Sequence, residues 1–137
     1  MRYVEKFKSV AEIEKCAEYY VKLLGLQDWN ILYKIGVPND ESWSGQCEKI
    51  DEEKCACITI DSRPQPDDCW TKQPQELVLI HELVHCKIIL MDNDTVEGKL
   101  MYLYYHTLVE DWAKSIFYTR YNLSNADLLN KGGGKKK

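Results

Sequence analysis

The residues best suited to chemistry stand in one run of five, His81-Glu82-Leu83-Val84-His85. On a helix, histidines four apart share a face about 6 Å apart along the axis, so one nitrogen from each can reach a single ion. Histidine is scarce, three in 137 residues, which makes this spacing around a glutamate informative. A zinc ion held there would acidify a water molecule and polarise a carbonyl. Glu82, beside the pair, is the candidate base that takes the water's proton and later delivers it to a leaving amine. The bland alternative is a core helix whose polar residues merely find hydrogen-bond partners. Burying His, Glu and His among apolar residues is costly without a compensating ion.

A catalytic zinc needs a third protein ligand. The remaining histidine, His106, falls in a later helical stretch where Leu103, His106, Val109, Glu110, Ala113 and Phe117 share one stripe. Packing of that stripe on the first helix would carry His106 to the metal. Glu110, one turn on, is the competing ligand. If His106 binds, Glu110 is placed to hydrogen-bond a ligand imidazole from behind. The longer metzincin motif is excluded, because Ile88 and Met91 stand where it requires Gly and His. Cys86 follows His85 directly, points about 100° away from it on a helix, and reads as a small buried thiol.

These residues need elements to position them. Ser9 and Glu12 have the capping-box form at the start of a helix carrying Val10, Ile13, Ala17, Tyr20, Val21 and Leu24, with Gly25 as its stop. Three strands follow, at about 29–35, 44–50 and 55–61, the last two joined by the polar turn Asp51-Glu52-Glu53-Lys54. In the third strand Ala56, Ile58 and Ile60 alternate with Cys55, Cys57 and Thr59. After the loop from Ser62 to Gln73, apolar residues from Leu77 to Leu90 surround a central, buried helix, broken at Asp92-Asn93-Asp94. A long helix is expected over 96–121 and a short one over 124–130. The order gives an α+β fold: N-terminal helix, small three-stranded sheet, buried active-site helix, and a second long helix carrying the third ligand.

With 45% hydrophobic and 29% charged residues the chain fits one domain over residues 1–130. The tail 131–137, Gly- and Lys-rich, has nothing to pack and is expected to be flexible. A net charge of −4 argues against nucleic acid as a partner. No apolar run is long enough for a membrane span, and the first residues lack a secretory signal, so a cytoplasmic, monomeric protein is expected. The six cysteines include no C-x-x-C pair, which removes a zinc ribbon and reads as free thiols in a reducing compartment.

The chain resembles the small zincin metallopeptidases of the SprT-like, minigluzincin and ImmA/IrrE type, especially compact ones from phages and prophages. The resemblance rests on Leu24-Gly25-Leu26-Gln27-Asp28-Trp29, on Ala56-Cys57-Ile58-Thr59-Ile60, on His81-Glu82-Leu83-Val84-His85, and on His106 with Trp112-Ala113 after it. It implies a minimal zincin fold and a zinc metalloendopeptidase, in the host cytosol if phage-encoded. It also implies a three-histidine site of His81, His85 and His106, since glutamate-bearing relatives have an acidic residue where His106 stands. It further implies that strand 55–61 is the edge strand against which a peptide or unfolded protein segment lies, with backbone pairing supplying affinity. Tyr102, Tyr105 and Tyr118 are candidate donors to the developing oxyanion, each more simply a packed aromatic. Trp43 and Trp70 border the cleft or cover the core. The competing function is a zinc-containing peptide- or protein-binding module with little or no turnover.

Overall fold

Ser9 begins the first helix as its pattern requires. In the computed structural model, which describes residues 2–65, 71–88 and 96–129, α1 spans Val10–Leu23, and Ser9 Oγ accepts from the Glu12 N–H at 3.2 Å. The Glu12 carboxylate reaches back to the Lys8 N–H, one residue before the one a capping box would use. At the other end Gly25 takes φ +69°, while Leu26 N–H donates to Val21 O and Gly25 N–H to Lys22 O. That Schellman closure is why a glycine ends the helix.

The strands are β1 (Asn30–Gly36), β2 (Gly45–Ile50) and β3 (Cys55–Asp61), in sheet order β1-β3-β2. β3 pairs with β1 in parallel and with β2 antiparallel. The expectation that residues 55–61 form an edge is therefore overturned: β3 is central, and β1 and β2 are the edges. The register places Ile31, Tyr33 and Ile35 beside Ala56, Ile58 and Ile60, and these beside Lys49, Cys47 and Gly45. This face meets the helices, and Ala56, Ile58 and Ile60 are buried. The other face is more open, with Leu32 62% exposed.

Helix α2 (Gln75–His85) runs through the core, with Leu79, Ile80, Leu83 and Val84 fully buried. Pro74 precedes it and supplies no side-chain cap. The N-terminal arm does that work instead: Gln75 N–H donates to Glu5 O and Glu76 N–H to Val4 O. The helix ends at His85, earlier than the apolar run to Leu90 suggests. Cys86 and Lys87 tighten the last turn by donating to Leu83 O and Val84 O. The break at Asp92-Asn93-Asp94 lies outside the described residues.

Helix α3 spans Val96–Tyr121 and packs on α2 through Val109, Ala113 and Phe117, all buried. Leu103, expected in the same packed stripe, is 63% exposed, because that half of α3 extends past the sheltered face. The last helical turn, η1 (Asn125–Leu128), is a 3₁₀ turn rather than an α-helix, closed by the Ser124–Asp127 capping pair. It returns the chain to α2's approach, where Lys72 N–H donates to Leu128 O. Among the described residues these make an α+β fold of three α-helices and a small mixed sheet. Among the described residues no helix is long and apolar enough to cross a membrane. The 131–137 tail lies outside them.

Candidate metal centre

The site begins with a residue that does no chemistry. Glu76, in the first turn of α2, is 1% exposed. Its carboxylate accepts from Val4 N–H at 2.8 Å, from the Tyr20 and Tyr121 hydroxyls at 2.5 Å each, and from Arg120 at 3.4 Å. A buried carboxylate is tolerable when it is fully hydrogen-bonded, and here the partners come from the N-terminal arm, α1 and α3. Burial first, and the Glu76 bond next, push the Tyr20 hydroxyl's pKa well above its ordinary value. The cluster locks the helix that carries the site, and the sequence reading missed it.

One turn further, α2 presents His81 and His85, with ring centroids 5.0 Å apart. His106 on α3 faces both, at 6.0 Å from His81 and 5.7 Å from His85. Tetrahedral zinc with Zn–N near 2.0–2.1 Å would set imidazole centroids roughly 5 Å apart, a spacing that His81 and His85 meet and His106 exceeds. The donor atoms of His81, Glu82 and His85 lie within 4.8 Å of one another, a group that could hold a metal ion. His106 is outside that group and is exposed. Tyr102 packs on the outer side of His106, centroids 5.5 Å apart.

Glu110 is drawn to a histidine rather than to the centre of the three rings. Its Oε2 lies 2.9 Å from His81 Nδ1, and its Oε1 is 3.6 Å from Lys114 Nζ. With Nδ1 turned to Glu110, Nε2 is the His81 nitrogen left for a metal. Burial lowers the His81 pKa, but the Glu110 hydrogen bond and the nearby Glu82 and Glu110 charges outweigh it, leaving it raised. The same contact, set against burial, holds the Glu110 carboxyl below its usual range. Burial, helped by His81 and His106, takes His85 down to about 4. A deprotonated imidazole is the form a metal needs.

Glu82 is 6% exposed. Burial raises its carboxyl to about 7, with His81 opposing and Glu110 adding to the shift. It sits where α2 passes the start of β2. A Cβ on Gly45 would lie 2.7 Å from Val78 Cγ1 and 3.3 Å from Glu82 Oε2. Only glycine lets the strand approach the helix this closely, and the composition gave no signal of it.

His81, Glu82 and Glu110 line a cavity of about 530 Å³. Its walls also include Leu77, Val78, Leu128, Leu129 and the segment Ser42–Gly45. Trp43, 48% exposed, stands at this wall. The segment is braced by Arg63, which is paired with Asp61 and donates to the Glu41 and Trp43 carbonyls. Of the three tyrosines singled out, Tyr118 lines the cavity, whereas Tyr102 backs His106. Trp70 lies outside the described residues. Protein-family models, curated proteins and solved structures were compared with the chain, and none matches.

Proposed function

We propose that the protein is a zinc-dependent peptidase in which His81, His85 and His106 hold the metal and Glu82 is the general base and acid. The observation that carries this reading is the gathering of three imidazoles beside a buried glutamate, with His81 and that glutamate lining a cavity. Bound there, zinc would supply Lewis-acid polarisation of a carbonyl and acidify a water molecule. The rest belongs to the chain. Glu82, beside the two α2 histidines and with its carboxyl raised by burial in the metal-free site, would accept a proton from water and return it to an amine. Glu110 fixes the ring of His81 by its contact at Nδ1. Helix α2, anchored at Glu76, keeps these groups in register.

A peptide is the substrate class that the surroundings suit. The edge strand next to the centre is β2, and the Ser42–Gly45 segment leading into it lines the cavity. An extended segment paired along β2 would gain backbone hydrogen bonds with little sequence selectivity. The apolar wall of Leu77, Val78, Leu128 and Leu129 then suits a bulky apolar side chain beside the scissile bond.

Glu82→Gln tests the reading on a broad peptide library. The variant is expected to fold and retain zinc while cleavage falls by about 10²–10⁴-fold. Equal inactivity of zinc-loaded wild type and variant would overturn the enzymatic reading and leave a binding role.

A further inference from the structure

Beyond the metal centre, the inward row of β2 tracks along α2 and the turn that follows it. Gly45 meets Val78 and Glu82, Cys47 meets Cys86, and the Lys49 ammonium donates to Ile88 O at 2.9 Å. In the middle of this seam the Cys47 and Cys86 sulfurs lie 3.9 Å apart, although the residues are 39 apart in sequence. Both thiols are free. Cys86 is 5% exposed, whereas Cys47, on the edge strand, is only half-buried. Cys47 is the more accessible of the two and Cys86 is shielded but already in contact, the arrangement of an attacked and a resolving cysteine.

We infer that Cys47 and Cys86 are an oxidisable pair which a peroxide-class oxidant joins into a reversible disulfide, stapling edge strand β2 to the end of α2. The chemistry balances in two steps. Cys47, as its thiolate, attacks the peroxide O–O bond, giving the sulfenic acid Cys47–SOH and a hydroxide that takes up the thiol's released proton as one water. The Cys86 thiol then attacks that sulfur, forming the S–S bond and releasing a second water. The two sulfurs give up two electrons, and the peroxide takes them. Closing from 3.9 Å to a bond of about 2.05 Å is a small movement, since the strand is a sheet edge and α2 has ended at His85. The staple falls on the turn directly after His85. Oxidation therefore tightens the end of the helix that carries the two closely spaced histidines.

The test is to treat the full chain with hydrogen peroxide, with and without added zinc, and map disulfides by non-reducing peptide mass spectrometry. The Cys47–Cys86 peptide pair is expected, together with a rise in Tm on the order of 10 °C for a loop of this length. Both effects are reversed by dithiothreitol. Cys47→Ser and Cys86→Ala, made separately, should each abolish the linkage and the shift. The inference is overturned if both thiols go to sulfinic acids without linking, or pair with other cysteines. A linkage that leaves Tm unchanged would equally overturn the staple. Because every readout is made on metal-free protein as well, failure here is distinct from failure of the zinc reading.

Discussion

Replacing Glu110 by Gln separates its two roles, ligand and support. The carboxylate lies 2.9 Å from His81 Nδ1, while the clustered donor atoms are those of His81, Glu82 and His85. Gln keeps the size and can still accept a hydrogen bond, but loses the charge. Residues behind a metal-bound histidine typically contribute 10- to 100-fold to affinity. Glu110 is 45% exposed and shares its charge with Lys114, so solvent screening puts it at the lower end of that range. A loss of about tenfold in zinc affinity is expected, or about 1.4 kcal/mol. Competition against a chromophoric chelator measures it, with His81→Ala as the reference for loss of a true ligand. Two results would refute the reasoning: affinity unchanged within twofold, or a loss as complete as that of His81→Ala. The first would make the contact incidental, and the second would make Glu110 a ligand.

The buried Glu76 cluster makes a stability prediction. Glu76→Ala strands the buried Tyr20 hydroxyl, the Val4 N–H and the partly covered Arg120. Loss of one partner from such a network costs about 3–5 kcal/mol, read as a lower urea midpoint at unchanged slope; a loss under about 1 kcal/mol would show that α2 is held elsewhere. The metal-free site also makes a pH prediction from two opposed groups. Glu82, raised from 4.5 to about 7, contributes stability present below pH 4.5 and lost as pH rises through 7. His85, lowered from 6.5 to about 4, contributes stability present above 6.5 and lost as pH falls through 4. Each shift is worth about 3 kcal/mol, so they nearly cancel between pH 4.5 and 6.5. Metal-free Glu82→Gln, with one slope removed, should therefore gain about 3 kcal/mol from pH 4 to 6.5, measured by urea unfolding. A flat profile would contradict the assignment.

What the sequence made legible is the local part of the structure. Ser9 and Gly25 bound α1 because capping and left-handed turns depend on residues a few positions away. The strands announce themselves by alternation, and residues 55–61 match β3 to the residue. Their order in the sheet does not, because alternation reports which face is buried, not which neighbour pairs. A parallel β1–β3 pair with β2 added outside is invisible to it. The apolar run past His85 overstated α2, since apolar residues continue after the backbone has turned. The pairing of His81 with His85 was readable from spacing alone, and the α3 stripe only in part, since Val109, Ala113 and Phe117 are buried while Leu103 and His106 are exposed. Glu76 was not, because a lone glutamate in a helix reads as solvated until Tyr20 and Tyr121, distant in sequence, close over it. The contacts of Gly45 with α2 and of Cys47 with Cys86 are long-range in the same way.

Zinc K-edge X-ray absorption of the zinc-reconstituted chain tests the three-histidine centre most directly. Wild type should show imidazole nitrogens at about 2.0–2.1 Å with the scattering of three rings, reduced to two in His106→Ala. A sulfur shell at about 2.3 Å, or a spectrum unchanged in His106→Ala, would contradict it.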